Sequence, residues 1–129
     1  TSFVTTEDFI TNAIETGIVP QMNDRRLKWV VTEQVYEKYL DRSVGSIRLE
    51  ELLDGQPYSR TDVQDFIEKS GADEQTAIYL TMAERVGRLA TEDSVLAEAA
   101  RALGIAVVDG ERFVREFAVR RRSRTARQE

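Results

Sequence analysis

The stretch Gly87-Arg-Leu-Ala-Thr-Glu-Asp-Ser-Val-Leu-Ala-Glu-Ala-Ala-Arg-Ala-Leu-Gly-Ile-Ala-Val-Val108 decides the fold of this chain. A short apolar run at 89–90 leads into the polar tip Thr91-Glu92-Asp93, and a second apolar run at 105–108 follows Gly104. Between the two runs, apolar residues recur at helical spacing and predict one buried stripe: Val95, Leu96, Ala99, Ala100 and Leu103. Strand, acidic tip, helix and strand together predict a βαβ unit, whose parallel strands require helices packed over the sheet.

Composition limits the chemistry that the chain can perform. Its 129 residues include no cysteine and no histidine. Disulfides, thiolate metal sites and thiol nucleophiles are therefore excluded, together with the commonest general base and transition-metal ligand. An enzyme built from this chain would rely on carboxylates, hydroxyls, amines or a hard cation such as Mg²⁺ or Mn²⁺. Because a chain without cysteine suits a reducing compartment, we expect a cytoplasmic protein.

Charge is unevenly spread along the chain. The last fifteen residues hold six arginines and two glutamates, a local charge of +4 in a chain of net charge −5, so the remainder carries −9. No apolar run reaches the length of a membrane span, and no membrane partner is expected. We predict a single domain over residues 1–119 and a basic, flexible tail over 120–129. Guanidinium groups bind phosphate, so the tail offers weak candidates for nucleic-acid contact: Arg120, Arg121, Arg122 and Arg124.

The rest of the chain continues the alternation of short strands and helices. In the first part of the chain we predict the end of a strand at 1–4, a helix capped by Thr6, a loop at 19–26 and a strand at 27–31. After that strand we predict a helix capped by Thr32 and a short helix at 47–53. Two further helices follow, one opened by a capping box of Thr61 and Gln64 and one from Asp73 to about 86. The predicted fold class is α/β, a three-layer α/β/α arrangement with a short, mostly parallel sheet of three or four strands flanked by helices.

Acidic residues lie next to the ends of the predicted strands. Glu37 lies in the helix after the strand at 27–31, Asp73 and Glu74 open the helix before the strand at 89–90, and Asp93 lies just beyond that strand. In a parallel sheet such positions can converge at the carboxyl ends of the strands. Clustered carboxylates repel one another unless a divalent cation lies between them, and that cation can ionise a water for attack on a phosphodiester. Each acid also has a plainer interpretation, as a helix cap, a partner of the helix dipole or a solvated helix position.

Three segments resemble one known family, the PIN domains, which are small α/β metal-dependent ribonucleases of toxin–antitoxin systems and RNA-processing factors. Leu89-Ala90-Thr91-Glu92-Asp93, followed by a helix and Leu103-Gly104-Ile105-Ala106-Val107, resembles the family's pattern of apolar pair, Thr or Ser, any residue, Asp, helix and glycine. The segment from Asp73 to Leu80 resembles the acidic start of the preceding helix. Val30-Val31-Thr32, with Glu37 five residues later, resembles the strand and helix that supply the family's glutamate.

The start of the chain is similar to a fourth motif of this family. PIN domains open with a strand that ends in Asp, followed by Thr or Ser, then Ser or Asn, then apolar residues. Thr1-Ser2-Phe3-Val4 matches the residues after that Asp, so this alignment predicts that the first strand and its acid precede Thr1. The resemblance then covers roughly residues 1–110.

The resemblance implies a metal-dependent endoribonuclease that hydrolyses RNA with carboxylate-held Mg²⁺ or Mn²⁺. The implied site residues are the catalytic acids and metal ligands Glu37, Asp73 and Asp93, the further ligand Glu74, and the hydrogen-bonding side chains of Ser2 and Thr91. For toxin-type members it also implies an antitoxin-type protein partner and a homodimer. The alternative is a catalytically incomplete PIN-like domain that acts as an RNA-binding or protein-interaction module. A third class is an unrelated α/β regulatory domain, whose acids would be scattered over the surface.

Overall fold

The computed structural model describes residues 1–118 of the chain, and five parallel strands among them form one sheet. These strands are β1 (Ser2–Thr5), β2 (Lys28–Thr32), β5 (Leu53–Gln56), β6 (Arg88–Ala90) and β7 (Ala106–Val108). They are arranged in the order β5–β2–β1–β6–β7, so the first strand of the chain is the middle strand of the sheet. A separate antiparallel hairpin consists of β3 (Ser43–Val44) and β4 (Ile47–Arg48).

Helices cover both faces of the sheet. They are α1 (Glu7–Thr16), α2 (Val19–Met22), α3 (Glu33–Lys38), α4 (Leu49–Leu52), α5 (Arg60–Ser70), α6 (Glu74–Val86), α7 (Ser94–Ala102) and α8 (Gly110–Phe113), followed by a π-helical turn, Val114–Ala118. Helices α1 to α4 and α8 pack on one face, and α5 to α7 pack on the other. The predicted three-layer α/β/α fold is therefore confirmed. None of the helices within residues 1–118 is long and apolar enough to cross a membrane.

Alternation along the strands divides the buried side chains between two apolar layers. In β1, Phe3 enters the layer beneath α1 and Val4 enters the layer beneath α6. Because successive side chains of a strand point to opposite faces, a central strand covered on both sides is apolar at every inward position. This explains why β1 and β2 read as continuous apolar runs instead of alternating patterns.

Trp29 in β2 forms the centre of the layer on the α1 side. Its ring is fully buried and stacks on Phe3 and Phe9, with ring centroids 4.9 and 5.6 Å apart. Phe113 meets the indole edge-on at 5.1 Å. The indole Nε1–H donates to the carbonyl oxygen of Met22 at 2.9 Å, so the one polar atom of this large side chain is satisfied.

Several helix caps are as the sequence predicts. The hydroxyls of Thr6 and Thr32 accept hydrogen bonds from the backbone N–H groups three residues later, at the starts of α1 and α3. Gly17 ends α1 in the left-handed conformation, with φ of 77°. Side-chain oxygens and a glycine thus fix the helix boundaries that flank β1 and β2.

Three local predictions are corrected. The predicted loop at 19–26 contains α2, which begins with Pro20 in its first turn, where a missing N–H costs nothing. The predicted helix at 47–53 is divided among β4, α4 and the start of β5, because Leu53 to Gln56 pair with β2 as an additional strand. Helix α5 begins two residues earlier than predicted, since the hydroxyl of Ser59 caps it in place of Thr61.

The predicted apolar stripe of α7 is partly wrong. Leu96 and Ala100 are buried as expected, but Val95 is 75% exposed and Leu103 is 46% exposed. Ala97, which the stripe omitted, is buried instead. The buried face of α7 is therefore rotated by about one residue, so that its small alanines rest on the sheet.

The crossover connections reverse direction next to β1. From β1 the chain passes to β2 and β5 on one side, and then returns through α5 and α6 to β6 and β7 on the other side. Consequently α1, which follows β1, and α7, which follows β6, lie on opposite faces. Such a switch point leaves a crevice at the carboxyl ends of the two strands, where open α/β sheets usually place their functional groups.

Candidate functional site at the carboxyl edge of the sheet

Two polar segments meet at the switch point between β1 and β6. One segment, residues 5–8, ends β1 and starts α1, and the other, residues 91–93, connects β6 to α7. The backbone N–H of Thr6 donates to the carbonyl oxygen of Ala90 at 3.3 Å, and the hydroxyl of Thr5 donates to the same oxygen at 3.2 Å. The parallel pairing of β1 with β6 therefore fixes the two segments side by side.

The carboxylate of Asp8 is the centre of a hydrogen-bond network at this edge. Its Oδ1 accepts hydrogen bonds from the hydroxyl of Thr6, from the hydroxyl of Thr91 at 3.3 Å and from the backbone N–H of Glu92 at 3.2 Å. Thr6 and Thr91 are buried, and their hydroxyl oxygens lie 3.1 Å apart. Hydrogen bonds to a carboxylate are stronger than those between neutral groups, so this network positions Asp8 firmly.

Glu92 brings a second carboxylate to the same edge. Its Oε2 accepts a hydrogen bond of 2.6 Å from the backbone N–H of Gly110, at the start of α8. Burial raises the pKa of Glu92, the Gly110 hydrogen bond opposes this change, and the negative charges of Asp109 and Asp8 add to it. The raised pKa therefore reflects chiefly the burial of this carboxylate, with a smaller contribution from its acidic neighbours.

Gly110 allows this close approach. A Cβ atom at position 110 would lie 3.1 Å from Nδ2 of Asn12, 3.3 Å from Cδ1 of Ile18 and 3.5 Å from Oε2 of Glu92. A side chain at this position would therefore crowd Asn12, Ile18 and Glu92. Glycine fits here because the space is too small for a Cβ atom.

Glu7 and Tyr79 extend the site towards α3 and α6. Glu7 forms an ion pair with Lys38, with 2.7 Å between Nζ and Oε2, and this contact raises the pKa of Lys38. Burial raises the pKa of Tyr79; a hydrogen bond with Gln75 opposes the change, and the charges of Asp8 and Glu7 add to it. The phenol of Tyr79 therefore stays neutral at physiological pH beside the acidic edge.

Asp93 and Asp73 both act as helix caps. Oδ1 of Asp93 accepts hydrogen bonds from the backbone N–H groups of Val95 at 2.9 Å and Leu96 at 3.2 Å, at the start of α7. Oδ1 of Asp73 accepts one from the N–H of Thr76 at 2.8 Å, at the start of α6. Hydrogen bonds from the backbone and side chain of Thr76 lower the pKa of Asp73.

The remaining predicted site residues lie in different surroundings. Glu74 and Glu37 are exposed, in the first turn of α6 and near the end of α3 respectively. Thr91 is buried within the Asp8 network, and its hydroxyl oxygen also accepts a hydrogen bond from the N–H of Asp93 at 3.2 Å. Ser2 opens β1 and pairs with the first residue of β2, so it lies at the opposite edge of the sheet. The candidate RNA contacts Arg120, Arg121, Arg122 and Arg124 are outside the described residues.

The alignment of the chain's start with the family's first strand is also corrected. Ser2 to Thr5 are themselves a strand, and it lies at the centre of the sheet. The residues at its carboxyl end are Thr5 and Thr6, and the nearest acids that follow are Glu7 and Asp8 on α1. A hydroxyl pair, not an acid, therefore occupies the end of the central strand.

Two of the predicted metal ligands use carboxylate oxygens for hydrogen bonds within the fold. Within residues 1–118 no group of three or more acidic side chains is arranged so that it could hold a metal ion. Asp73 and Asp93 each use one carboxylate oxygen to cap a helix, and Oε2 of Glu92 is bound to Gly110.

Sequence reasoning missed the residues that the network connects most closely. Glu7 and Asp8 look like ordinary acids in the first turn of a helix, and Glu92 stands at an unassigned position of the aligned motif. The signal that could identify Asp8 is the pairing of β1 with β6, because it places residues 6 and 91 together from 85 positions apart. That pairing cannot be read from either segment alone.

Comparison of the chain with models of protein families, with curated proteins and with solved structures finds no match. The fold and the geometry of the carboxyl edge therefore define a three-layer α/β/α domain with acidic side chains at its switch point.

Proposed function

We propose that this chain is a PIN-like domain that lacks a complete catalytic site and functions as a protein-interaction module. The observation that carries the proposal is the end of the central strand. The family pattern expects an acid there, whereas this chain has Thr5, which is fully buried and donates its hydroxyl to the carbonyl oxygen of Ala90. A neutral hydroxyl that already donates to the backbone is a poor substitute for a carboxylate ligand.

The other candidate acids support the same proposal. Asp93 and Asp73 satisfy backbone N–H groups at two helix starts, a role that stabilises the fold without any ligand. The negative charge of Glu7, Asp8, Glu92 and Asp109 would repel RNA phosphates at this edge in the absence of a metal. These features favour a protein partner over RNA. The proposal includes a cytoplasmic location, which the lack of cysteine supports.

A cleavage assay with Mn²⁺ tests this proposal. The full chain, its Asp93→Asn variant and the control Asp62→Asn are incubated with RNA and Mn²⁺; asparagine retains the helix cap while removing a charged ligand. Asp62 is an exposed acid in the first turn of α5, so it controls for the loss of one surface charge. We expect all three proteins to show only the same background level of RNA cleavage. Cleavage that Asp93→Asn abolishes and Asp62→Asn preserves would refute the proposal.

Paramagnetic broadening gives a second readout that needs no activity. Bound Mn²⁺ broadens NMR signals of nearby amides, so a specific site would erase the signals of residues 91–93 before those of the remaining surface. We expect no such selective, saturable loss. Selective broadening around Thr91 that disappears in Asp93→Asn would contradict the proposal.

The second candidate function is the metal-dependent endoribonuclease itself. One observation favours it: Asp8 lies against Thr91 and Glu92, next to Asp93, so a carboxylate reaches the switch point although it comes from α1 instead of β1. If Asp8 replaces the missing acid, both Asp8→Asn and Asp93→Asn should abolish Mn²⁺-dependent cleavage. The same assay therefore distinguishes the two candidates. RNA as substrate, an antitoxin-type partner and a homodimer belong to this second candidate.

A further inference from the structure

Strand β7 lies at one edge of the sheet, and some of its backbone hydrogen-bonding groups point away from its neighbour β6. The N–H of Ala106 donates to the carbonyl oxygen of Gly87 at 3.3 Å, and the carbonyl oxygen of Val108 accepts from the N–H of Thr91 at 3.0 Å. Residues 106 and 108 thus face β6, and Val107 between them directs its N–H and C=O outwards, because alternate residues of a parallel strand serve opposite neighbours. Within residues 1–118 no strand lies beyond β7.

A cationic pocket opens along this same strand. Its volume is about 290 Å³, and the consecutive residues 105–108 form part of its wall. Phe3 and Phe117 supply an apolar surface, while three arginines from different elements surround it: Arg88 from β6, Arg101 from α7 and Arg112 from α8. The pocket therefore combines an apolar floor, a free strand edge and positive charge.

Two of these arginines have no acidic partner within residues 1–118. Arg112 forms an ion pair with Glu116, with 2.7 Å between Nε and Oε1. By contrast, neither Arg88 nor Arg101 forms an ion pair with any acid in the part of the chain that the structure describes. Both side chains are exposed. In a domain of negative net charge, this is a local positive surface that would attract an acidic group.

We propose that β7 and this pocket, which we call the arginine edge, bind an extended acidic segment of a partner protein as an added strand. The partner's backbone would pair with the N–H and C=O of Val107, and two adjacent acidic side chains, one on each face of the added strand, would reach Arg88 and Arg101. Strand addition obtains affinity from main-chain hydrogen bonds and specificity from alternate side chains, which matches a free edge beside a charged pocket. The inference rests on the proposed role as an interaction module, but its test uses neither metal nor RNA, so the two can fail separately.

Charge patterning selects this partner over a nucleic acid or a free anion. An extended peptide with two adjacent acids presents one of them on each face, because side chains alternate along a strand. Arg88 lies on the face of Ala90 and α8, and Arg101 belongs to α7 on the other face, so each arginine meets one acid. A nucleic acid would satisfy the arginines but would leave the backbone groups of Val107 without a partner.

The test is a fluorescence-anisotropy titration of the full chain with a labelled hexapeptide that has two adjacent central glutamates flanked by valines. The comparison peptides replace glutamate by lysine, or carry N-methyl groups that block backbone pairing. We expect the glutamate peptide to bind, with a shift of the Val107 amide signal in NMR spectra, and both comparison peptides to bind at least tenfold more weakly. Equal binding of the N-methylated peptide would show that the charges act without strand pairing and would refute the proposal.

Matched protein variants test the role of the arginines. The double variant Arg88→Ala/Arg101→Ala should weaken glutamate-peptide binding about tenfold, because two exposed charge pairs contribute about 0.7 kcal/mol each. Arg60→Ala is the control, since Arg60 is an exposed arginine at the start of α5, away from β7. If the double variant binds as tightly as Arg60→Ala, the arginine edge is not the binding site.

Discussion

Replacing Asp93 by alanine should destabilise the domain through the loss of a helix cap. Oδ1 of Asp93 accepts hydrogen bonds from the N–H groups of Val95 and Leu96, the first of them exposed and the second partly buried. Substitution of a capping aspartate by alanine typically costs about 1 kcal/mol. At about 2.1 cal/mol/K of unfolding entropy per residue, the 118 described residues turn this loss into a fall in Tm of about 4 °C.

Asp93→Asn separates the cap from the charge. Asparagine retains a capping oxygen but removes the negative charge, so we expect its stability to lie within a few tenths of a kcal/mol of the original. Urea denaturation followed by circular dichroism measures both variants, and alanine should lower the midpoint by about 0.5 M. Equal losses in both variants would assign the effect to charge, and no loss in alanine would show that α7 does not depend on this cap. Either result would refute the reasoning.

Three further substitutions test the site and its support. Glu92→Gln keeps an acceptor for the Gly110 N–H but removes a carboxylate whose pKa is raised in the folded state. Because a raised pKa in an acid lowers the stability of the fold as pH rises above the ordinary value near 4.5, the variant should be more stable than the original at neutral pH and equal to it in acid. Urea titrations at several pH values measure this difference. Thr91→Val removes a buried hydroxyl from Asp8 and should cost about 1–2 kcal/mol in chemical denaturation, and an unchanged midpoint would refute the network. Gly55→Ala places a Cβ 2.9 Å from Cβ and Cγ of Tyr36 and should cost about 1–3 kcal/mol, a loss that must shrink when Tyr36 is also replaced by alanine.

The sequence predicts the fold class because its strongest signals are local. Gly17, Thr6 and Thr32 mark helix boundaries through their own backbone or hydroxyl geometry, and the structure confirms all three. In the segment 87–108, the spacing of the apolar residues and the lengths of the apolar runs indicate a strand, a helix and a second strand. Such signals need no knowledge of which strands become neighbours.

The elements that the sequence misses depend on contacts made over long distances. Strand β5 contains Asp54 and Gly55, which are typical of turns, yet it pairs with β2 over four residues. Val95 satisfies the apolar spacing of α7 but lies at the exposed end of the helix. Which positions are buried depends on the rotation of a helix over the sheet, and alanine-rich helices leave that rotation poorly defined.

The candidate site shows the same division between local and distant information. Asp93 can be predicted as a helix start, and the structure shows that it caps α7. The network around Asp8 cannot be predicted in this way, because it joins α1 to the β6–α7 connection. Short motifs indicate which segments lie near the carboxyl edge of the sheet. Which of their acids come together depends on the strand order.

The burial of Trp29 gives this protein an intrinsic optical probe. It is the chain's single tryptophan, it is fully buried between aromatic rings, and it belongs to the layer beneath α1. Its fluorescence therefore reports on that side of the sheet, whereas the four tyrosines are divided between both layers. Comparing the tryptophan signal with the circular dichroism of all the helices can show whether the layers on either side of one shared sheet come apart together or in succession.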